Sequence, residues 1–88
     1  MDTREILLHY ISQELISGSK KKELDEEQDL LDSGLVNSLG VIQLVVFIQK
    51  YFGIDVPHSD VTIENFQSVK HIGAYVEARR RDMGDSDD

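Results

Sequence analysis

The longest apolar segment of the chain covers residues 39–52, in which Lys50 is the only charged side chain. Apolar residues recur there at the spacing that places them on one face of a helix, so the pattern predicts a helix with a buried stripe. That stripe consists of Val41, Leu44, Val45, Ile48 and Phe52, flanked by Phe47 and Tyr51. Because Gly34 and Asn37 read as turn residues before it, the helix is predicted to begin with Ser38 as its N-cap.

The opposite side of this predicted helix is also partly apolar. It carries Ser38, Leu39, Ile42, Gln43, Val46, Gln49 and Lys50. A helix that is apolar all round is usually buried in a larger protein, and 88 residues offer too little material to cover both sides. The pattern therefore indicates an exposed docking surface that begins beside Ser38.

The chain before this helix predicts a first amphipathic helix and a long loop. Asp2 and Glu5 have the spacing of a capping box, and Gly18 supplies a stop. The buried face between them consists of Ile6, Leu7, Tyr10, Ile11 and Leu15. The charged loop over 18–37 is anchored by Leu24, Leu30, Leu31, Leu35 and Val36. A loop of about twenty residues is unusual in a small domain unless it has a function, and this one leads to Ser38.

The chain after the central helix predicts two more helices. Gly53 ends the central helix, and residues 54–57 are extended because Pro57 disfavours helix before it. Ser59 or Thr62 caps a short helix, and Ser68 begins the last one. The side chains predicted to turn inward are Val61, Ile63 and Phe66 in the short helix and Val69, Ile72, Tyr75 and Val76 in the last. The fold class is therefore all-α, a four-helix bundle of three principal helices and one short one over residues 1–81, with 82–88 expected to be a disordered acidic tail.

Composition narrows the possible functions. The net charge of −8 argues against nucleic acid as a partner, because phosphate binding depends on clustered lysine and arginine. The chain has no cysteine, so any thiol chemistry must come from outside it. No signal-peptide pattern and no apolar run of about 20 residues occur, which favours a cytoplasmic protein without a membrane span. A monomer is expected.

The sequence lacks the residues of a conventional active site. His9, His58 and His71 fall in separate elements and do not have the spacing of zinc ligands or of a catalytic triad. The acidic residues at 25–32 lack the alternating ligands, glycine and final glutamate of a calcium-binding loop. We therefore expect neither a catalytic residue nor a metal site. Ser38 is either a helix cap alone, worth about 1 kcal/mol, or a residue that another enzyme modifies.

The segment Gly34-Leu-Val-Asn-Ser38-Leu39, the apolar helix after it and Phe52-Gly-Ile-Asp-Val-Pro57 together resemble the acyl carrier and peptidyl carrier protein family. The resemblance covers about residues 2–80, and the length and acidic charge agree with it. In that family a four-helix bundle presents a serine at the start of its second helix. A phosphopantetheinyl transferase attaches 4′-phosphopantetheine from coenzyme A to this serine. Residues 63–68 are similar to the freestanding carriers that work with AMP-forming acyl or aminoacyl ligases.

The resemblance implies a specialised freestanding carrier protein that is not an enzyme. It implies 4′-phosphopantetheine on Ser38, which holds acyl or aminoacyl groups as thioesters for downstream acyl-processing enzymes of fatty acid, polyketide or nonribosomal peptide biosynthesis. The start of a helix favours the phosphate there by about 0.3–1 kcal/mol. The implied partner-docking residues are Asn37, Leu39, Gly40, Ile42, Gln43 and Val46.

Two features depart from the family pattern. Asn37 stands where the pattern has an aspartate before the serine, and Gln43, Gln49 and Lys50 stand where fatty-acid carriers are acidic. Recognition is therefore expected to depend more on apolar contact than on charge. A glycine inside a helix, such as Gly40, lowers helix stability by about 1 kcal/mol relative to alanine. It either lets a partner or the cofactor approach the backbone closely or is tolerated near a helix end.

A second class of function fits the same surface. A non-catalytic helical adaptor could bind a partner through Leu39, Ile42 and Val46 without carrying a cofactor. The two functions are distinguished by whether phosphopantetheine becomes covalently attached to the protein.

Overall fold

The computed structural model describes residues 2–15 and 25–84, with residues 83 and 84 described by their backbone. The helices are α1, Thr3–Tyr10; α2, Ser38–Phe52; α3, Ile63–Phe66; and α4, Val69–Gly84. A π-helical turn, Ile11–Leu15, continues α1, and a 3₁₀ turn, His58–Asp60, lies between α2 and α3. The predicted all-α fold of three principal helices and one short helix is confirmed.

Helix α1 begins with the predicted capping box. The Asp2 carboxylate accepts a hydrogen bond of 2.9 Å from the Glu5 backbone N–H, and the Asp2 N–H donates to the Glu5 carboxylate at 3.1 Å. The helix packs against α4, where the buried Thr3 hydroxyl donates to the Glu77 carboxylate. The predicted stop at Gly18 lies outside the described residues.

The core receives side chains from all four helices. Its fully buried members include Leu7 and Ile11, Leu44 and Ile48 of α2, Phe66 of α3, and Val69, Ile72 and Val76 of α4. The other members of the predicted α2 stripe pack half-buried against this core. Tyr75 of α4 is also half-buried there, whereas Tyr51 is exposed.

The described part of the first loop is held by two buried anchors and by backbone hydrogen bonds. Leu30 and Val36 are buried, as predicted. The Leu30 N–H donates to the Gln67 carbonyl at 2.8 Å, and the Val36 N–H donates to the Leu30 carbonyl at 2.9 Å. The first bond fixes the loop against the α3–α4 junction, and the second joins two residues of the loop just before α2 begins. The predicted anchor Leu24 lies outside the described residues.

The connection from α2 to α4 follows the predicted course. Gly53 ends α2 with a φ of 67°, in the left-handed region that favours glycine. The Gln49 side chain, predicted to lie on the exposed side, accepts a hydrogen bond of 3.1 Å from the Val56 N–H and is half-buried. The Tyr75 hydroxyl donates to the Asp60 carboxylate at 2.7 Å, which ties the 3₁₀ turn to α4.

Helix α4 continues past the boundary expected at residue 81, to Gly84. The rest of the expected tail, residues 85–88, lies outside the described part of the chain. None of the described helices combines the length and the apolar character needed to cross a membrane.

Candidate functional site at the start of helix α2

Ser38 is the first residue of α2, and its neighbour Asn37 is the N-cap. The Asn37 side-chain oxygen accepts a hydrogen bond of 2.8 Å from the Gly40 N–H, while the Asn37 backbone is extended. The prediction of Ser38 as the cap is therefore wrong by one residue. An asparagine caps a helix as well as a serine does, and the carbonyl of its side chain reaches the third N–H of the first turn. The exposed Ser38 hydroxyl is left outside the cap.

The first turn of α2 suits an anionic group attached to Ser38. Three N–H groups in this turn lack a partner inside the helix; that of Gly40 is bonded to the Asn37 side chain, so those of Ser38 and Leu39 remain for an anion, and the helix dipole adds partial positive charge to them. No acidic side chain occupies the turn. A phosphate ester on the exposed hydroxyl would therefore meet donors and a favourable field without having to enter the core. The residues present fit 4′-phosphopantetheine.

Gly40 is buried against the loop and does not belong to the docking surface. A Cβ at this position would lie 2.9 Å from a Val36 methyl carbon, closer than van der Waals contact allows. The prediction that Gly40 faces a partner needs correction, because Val36 already covers it. The close approach that this glycine permits is made by the protein's own loop.

The three large aliphatic side chains predicted on the outer side of α2 are exposed. Leu39 is 63% exposed, Ile42 60% and Val46 43%. Gln43 lies among them and is also exposed.

Ile63 extends the exposed apolar surface onto α3. It was predicted to turn inward but is 71% exposed. The reason is the length of α3: one helical turn offers a single inward position, and Phe66 fills it. Thr62 caps this turn by accepting a hydrogen bond of 3.2 Å from the Asn65 N–H, so of the two candidates Thr62 is the cap.

An open groove of about 610 Å³ separates α2 from α3 and begins at Ser38. Its walls are mostly apolar. They consist of Leu31, Gly34, Val36, Asn37, Ser38, Val41, Ile42, Val61, Thr62, Ile63 and Phe66. Sequence reasoning missed the groove because it depends on how the loop and α3 are placed across from α2. The feature of the sequence that could have indicated the groove is the excess of apolar residues around Ser38.

The histidines build no second site. His9, His58 and His71 lie in different elements, as predicted, and the described residues contain no group of three side chains that could hold a metal ion. His71 Nδ1 lies 2.7 Å from the Ser68 hydroxyl oxygen. That oxygen also accepts a hydrogen bond of 3.2 Å from the His71 N–H at the start of α4, and Ser68 is buried. The pair stabilises a helix start and offers no accessible nucleophile.

Comparison with known proteins agrees with this geometry. The family model described as "Phosphopantetheine attachment site" matches residues 13–76. The chain is 33% identical over 72 residues to the D-alanyl carrier protein of Streptococcus suis, covering 82% of this chain and 87% of that protein. It is 35% identical over 78 residues to the D-alanyl carrier protein of Enterococcus faecalis, covering 89% and 97%. The corresponding protein of Lactobacillus acidophilus is 31% identical over 78 residues, covering 89% and 95%.

The family model and the relatives define the class of this helical bundle as a carrier of a covalently attached group. The chain belongs to the phosphopantetheine-binding carrier protein family. It bears a 4′-phosphopantetheine arm on which acyl or aminoacyl groups are held as thioesters and delivered to partner enzymes. The adaptor function is not favoured.

Proposed function

We propose that Ser38 is the residue to which 4′-phosphopantetheine is attached. The observation that carries this proposal is that Asn37 caps α2, which leaves the Ser38 hydroxyl exposed at the helix start. Three other serines of the matched segment that the structure describes are less suitable. Ser68 is 2% exposed, and the Ser33 hydroxyl is engaged with the Asp29 carbonyl. Ser59 is exposed but lies in the short 3₁₀ turn and not at the start of a long helix.

The attachment is a phosphoryl transfer performed by a phosphopantetheinyl transferase. The Ser38 oxygen bonds to the coenzyme A phosphorus on the pantetheine side, the pyrophosphate bridge breaks, and adenosine 3′,5′-bisphosphate leaves. The hydroxyl proton passes to a base on the transferase. When bound, the group supplies a thiol that this cysteine-free chain lacks.

The chain's own residues present the arm and perform no catalysis in this proposal. The backbone N–H groups of Ser38 and Leu39 hold the phosphate, since that of Gly40 is bonded to the Asn37 side chain. The exposed side chains Leu39, Ile42, Val46 and Ile63 form the docking surface for partner enzymes, with Asn37 and Gln43 at its edge. Tethering the cargo raises its effective concentration at whichever enzyme the carrier binds. We place the protein in the cytoplasm.

The cargo we propose is an aminoacyl group activated by an AMP-forming ligase. The relatives that support this proposal are named D-alanyl carrier proteins, and they align over most of this chain. D-alanine is therefore the first cargo to test.

Intact-mass measurement tests the attachment site. The wild-type protein is incubated with coenzyme A and a broad-specificity phosphopantetheinyl transferase, beside Ser38→Ala and the matched control Ser33→Ala. We expect one phosphopantetheine on the wild type and on Ser33→Ala and none on Ser38→Ala. An adduct that persists in Ser38→Ala, or no adduct on the wild type with several transferases, would overturn the proposal.

A further inference from the structure

Lys50 lies on the same exposed face of α2 as the residues that follow Ser38. It is the only lysine of the helix and falls in its last turn, twelve residues after Ser38. At the rise of an α-helix this places it about 18 Å from Ser38 along the axis. Spacings of four, three and four residues put four exposed side chains in one row along the helix. We call them the outer row: Leu39, Gln43, Val46 and Lys50.

The helix dipole explains a positive charge at Lys50 but not the choice of lysine. A cation near the C-terminus of a helix is stabilised by about 0.3–1 kcal/mol, and arginine provides the same charge. The ion pairs among the described residues join Arg4, Lys70 and Arg80 to glutamates, and Lys50 belongs to none of them. Its amine is therefore exposed without a carboxylate partner in the part of the chain that the structure describes.

An arm attached to Ser38 is long enough to bring its cargo to this amine. About 14 bonds separate the serine oxygen from the terminal sulfur, and at the advance of an extended polypeptide, about 1.2 Å per bond, they span about 17 Å. The lysine side chain adds about 6 Å of reach from its own backbone. Together these lengths exceed the separation of the two residues along α2. No charged side chain of the helix lies between them, because residues 33–49 carry none.

We propose that Lys50 accepts the aminoacyl cargo from the arm in an intramolecular transfer from sulfur to nitrogen. The unprotonated Lys50 Nζ bonds to the carbonyl carbon of the cargo, and the bond from that carbon to sulfur breaks. One proton of the amine passes through water to the leaving sulfur, so the products are an amide on Lys50 and a free thiol. This inference rests on the proposed function, since it assumes an arm on Ser38 and an aminoacyl cargo.

Tethering and protonation act on this transfer in opposite directions. A flexible tether gives the cargo an effective concentration in the millimolar range at Lys50, far above the micromolar concentration of the protein in solution. A lysine amine reacts only after it loses its proton, however, and at neutral pH roughly one in a thousand has done so. The transfer is therefore slow, and it consumes cargo that no partner enzyme collects.

Hydroxylamine separates the two forms of bound cargo, because it cleaves thioesters and leaves amides intact. A broad-specificity transferase with D-alanyl-coenzyme A attaches the loaded arm to Ser38 in one step, without a ligase or its reactive adenylate. The loaded protein is freed of coenzyme A and kept at pH 8.5, where about tenfold more amine is unprotonated than at pH 7.5. After hydroxylamine treatment, peptide mass spectrometry locates the D-alanine that remains on the protein.

Two variants and one bystander protein make the test specific. Lys50→Arg keeps the positive charge without a nucleophilic amine. Lys70→Arg is the matched control, because Lys70 is also an exposed helix residue but lines a cleft between α1 and α4. The bystander is ¹⁵N-labelled Ser38→Ala, which has Lys50 but cannot carry the arm, so that transfer between molecules is measured in the same mixture.

We expect hydroxylamine-resistant D-alanine on Lys50 of the wild type and of Lys70→Arg, and roughly tenfold less on Lys50→Arg and on the bystander. Equal amounts on Lys50→Arg, attachment mainly at another lysine, or equally fast transfer to the bystander would each overturn the inference. So would a loaded wild type that gives no resistant D-alanine. In all four cases Ser38 is still modified, and the proposed function stands. A wild type that takes up no arm would overturn both the attachment at Ser38 and this inference.

Discussion

Val36 packs a methyl group against Gly40 so closely that a Cβ on the glycine would lie 2.9 Å from it. Val36 is 3% exposed, and the hydrogen bond from its N–H to the Leu30 carbonyl holds it in the loop. The contact joins the loop before α2 to the first turn of that helix. The position of Ser38 is therefore set by loop packing as well as by helix formation.

Substitution of Gly40 by alanine should lower the free energy of unfolding by about 1 kcal/mol. Overpacking a tight site costs about 1–3 kcal/mol, and the better helix propensity of alanine returns up to about 1 kcal/mol. Urea unfolding followed by circular dichroism measures the difference. In a Val36→Ala background the same substitution should be neutral or stabilising. An equal loss in both backgrounds would show that the two residues are not coupled.

The assignment of the cap to Asn37 predicts opposite results at two adjacent residues. Asn37→Ala should destabilise the protein by about 1 kcal/mol, because the Gly40 N–H loses its side-chain acceptor. Ser38→Ala should change stability by only a few tenths of a kcal/mol, since the Ser38 hydroxyl is not the cap. Thermal melts of the unmodified proteins compare the two. A larger loss of stability for Ser38→Ala than for Asn37→Ala would show that Ser38 is the cap.

Acidic substitutions on the exposed aliphatic surface should weaken docking without unfolding the protein. Ile42→Asp and Ile63→Asp place a charge where apolar contact with a partner is expected, and each should lower kcat/KM for loading by an aminoacyl ligase by about tenfold or more. Their melting temperatures should stay close to that of the wild type. Leu44→Asp is the contrasting variant and should unfold the protein, because Leu44 is 1% exposed. Unfolding caused by Ile42→Asp would place Ile42 in the core.

The hydrogen bond between Tyr75 and Asp60 predicts a pH dependence of stability. Burial, followed by this hydrogen bond, raises the pKa of Tyr75 well above its usual value near 10. The unfolded chain releases the Tyr75 proton near pH 10 while the folded protein keeps it, so stability falls as the pH rises above about 10. Tyr75→Phe should cost about 1 kcal/mol at neutral pH and should show a smaller fall in alkaline solution.

The urea midpoints of the wild type and of Tyr75→Phe at pH 8 and pH 11 measure how much stability each protein loses in alkaline solution. Tyr10, whose pKa is also raised by burial, contributes equally to the wild type and to Tyr75→Phe. Tyr51→Phe alters an exposed ring and should keep the wild-type fall. An equal loss of stability between pH 8 and pH 11 in the wild type and in Tyr75→Phe would contradict the proposal that Tyr75 causes the alkaline fall.

The sequence predicted the long helices because their core positions repeat at helical spacing. Leu44, Ile48 and Ile72 are buried as the pattern indicates, and Gly53 ends α2 with the positive φ that a glycine permits. Local patterns of this kind depend on neighbours within a few residues of the same helix, which the sequence displays directly.

The sequence was less informative wherever distant segments meet. Ile63 was assigned to the core because a one-turn helix has no periodicity that separates its faces. The burial of Gly40 depends on where the loop places Val36, and the groove beside Ser38 exists only once α3 lies across from α2. The cap fell on Asn37 instead of Ser38 because both residue types cap helices and their spacing alone does not choose between them.

Aminoacyl loading tests the central claim most directly. The phosphopantetheine-modified wild type, Ser38→Ala and Ser33→Ala, all taken through the same modification reaction, are incubated with ATP, labelled D-alanine and an AMP-forming D-alanine ligase. We predict label on the wild type and on Ser33→Ala that hydroxylamine releases, as it cleaves thioesters, and none on Ser38→Ala. Comparable hydroxylamine-labile label on Ser38→Ala, or none on wild type shown by mass to carry the arm, would contradict a carrier that presents an aminoacyl cargo from Ser38.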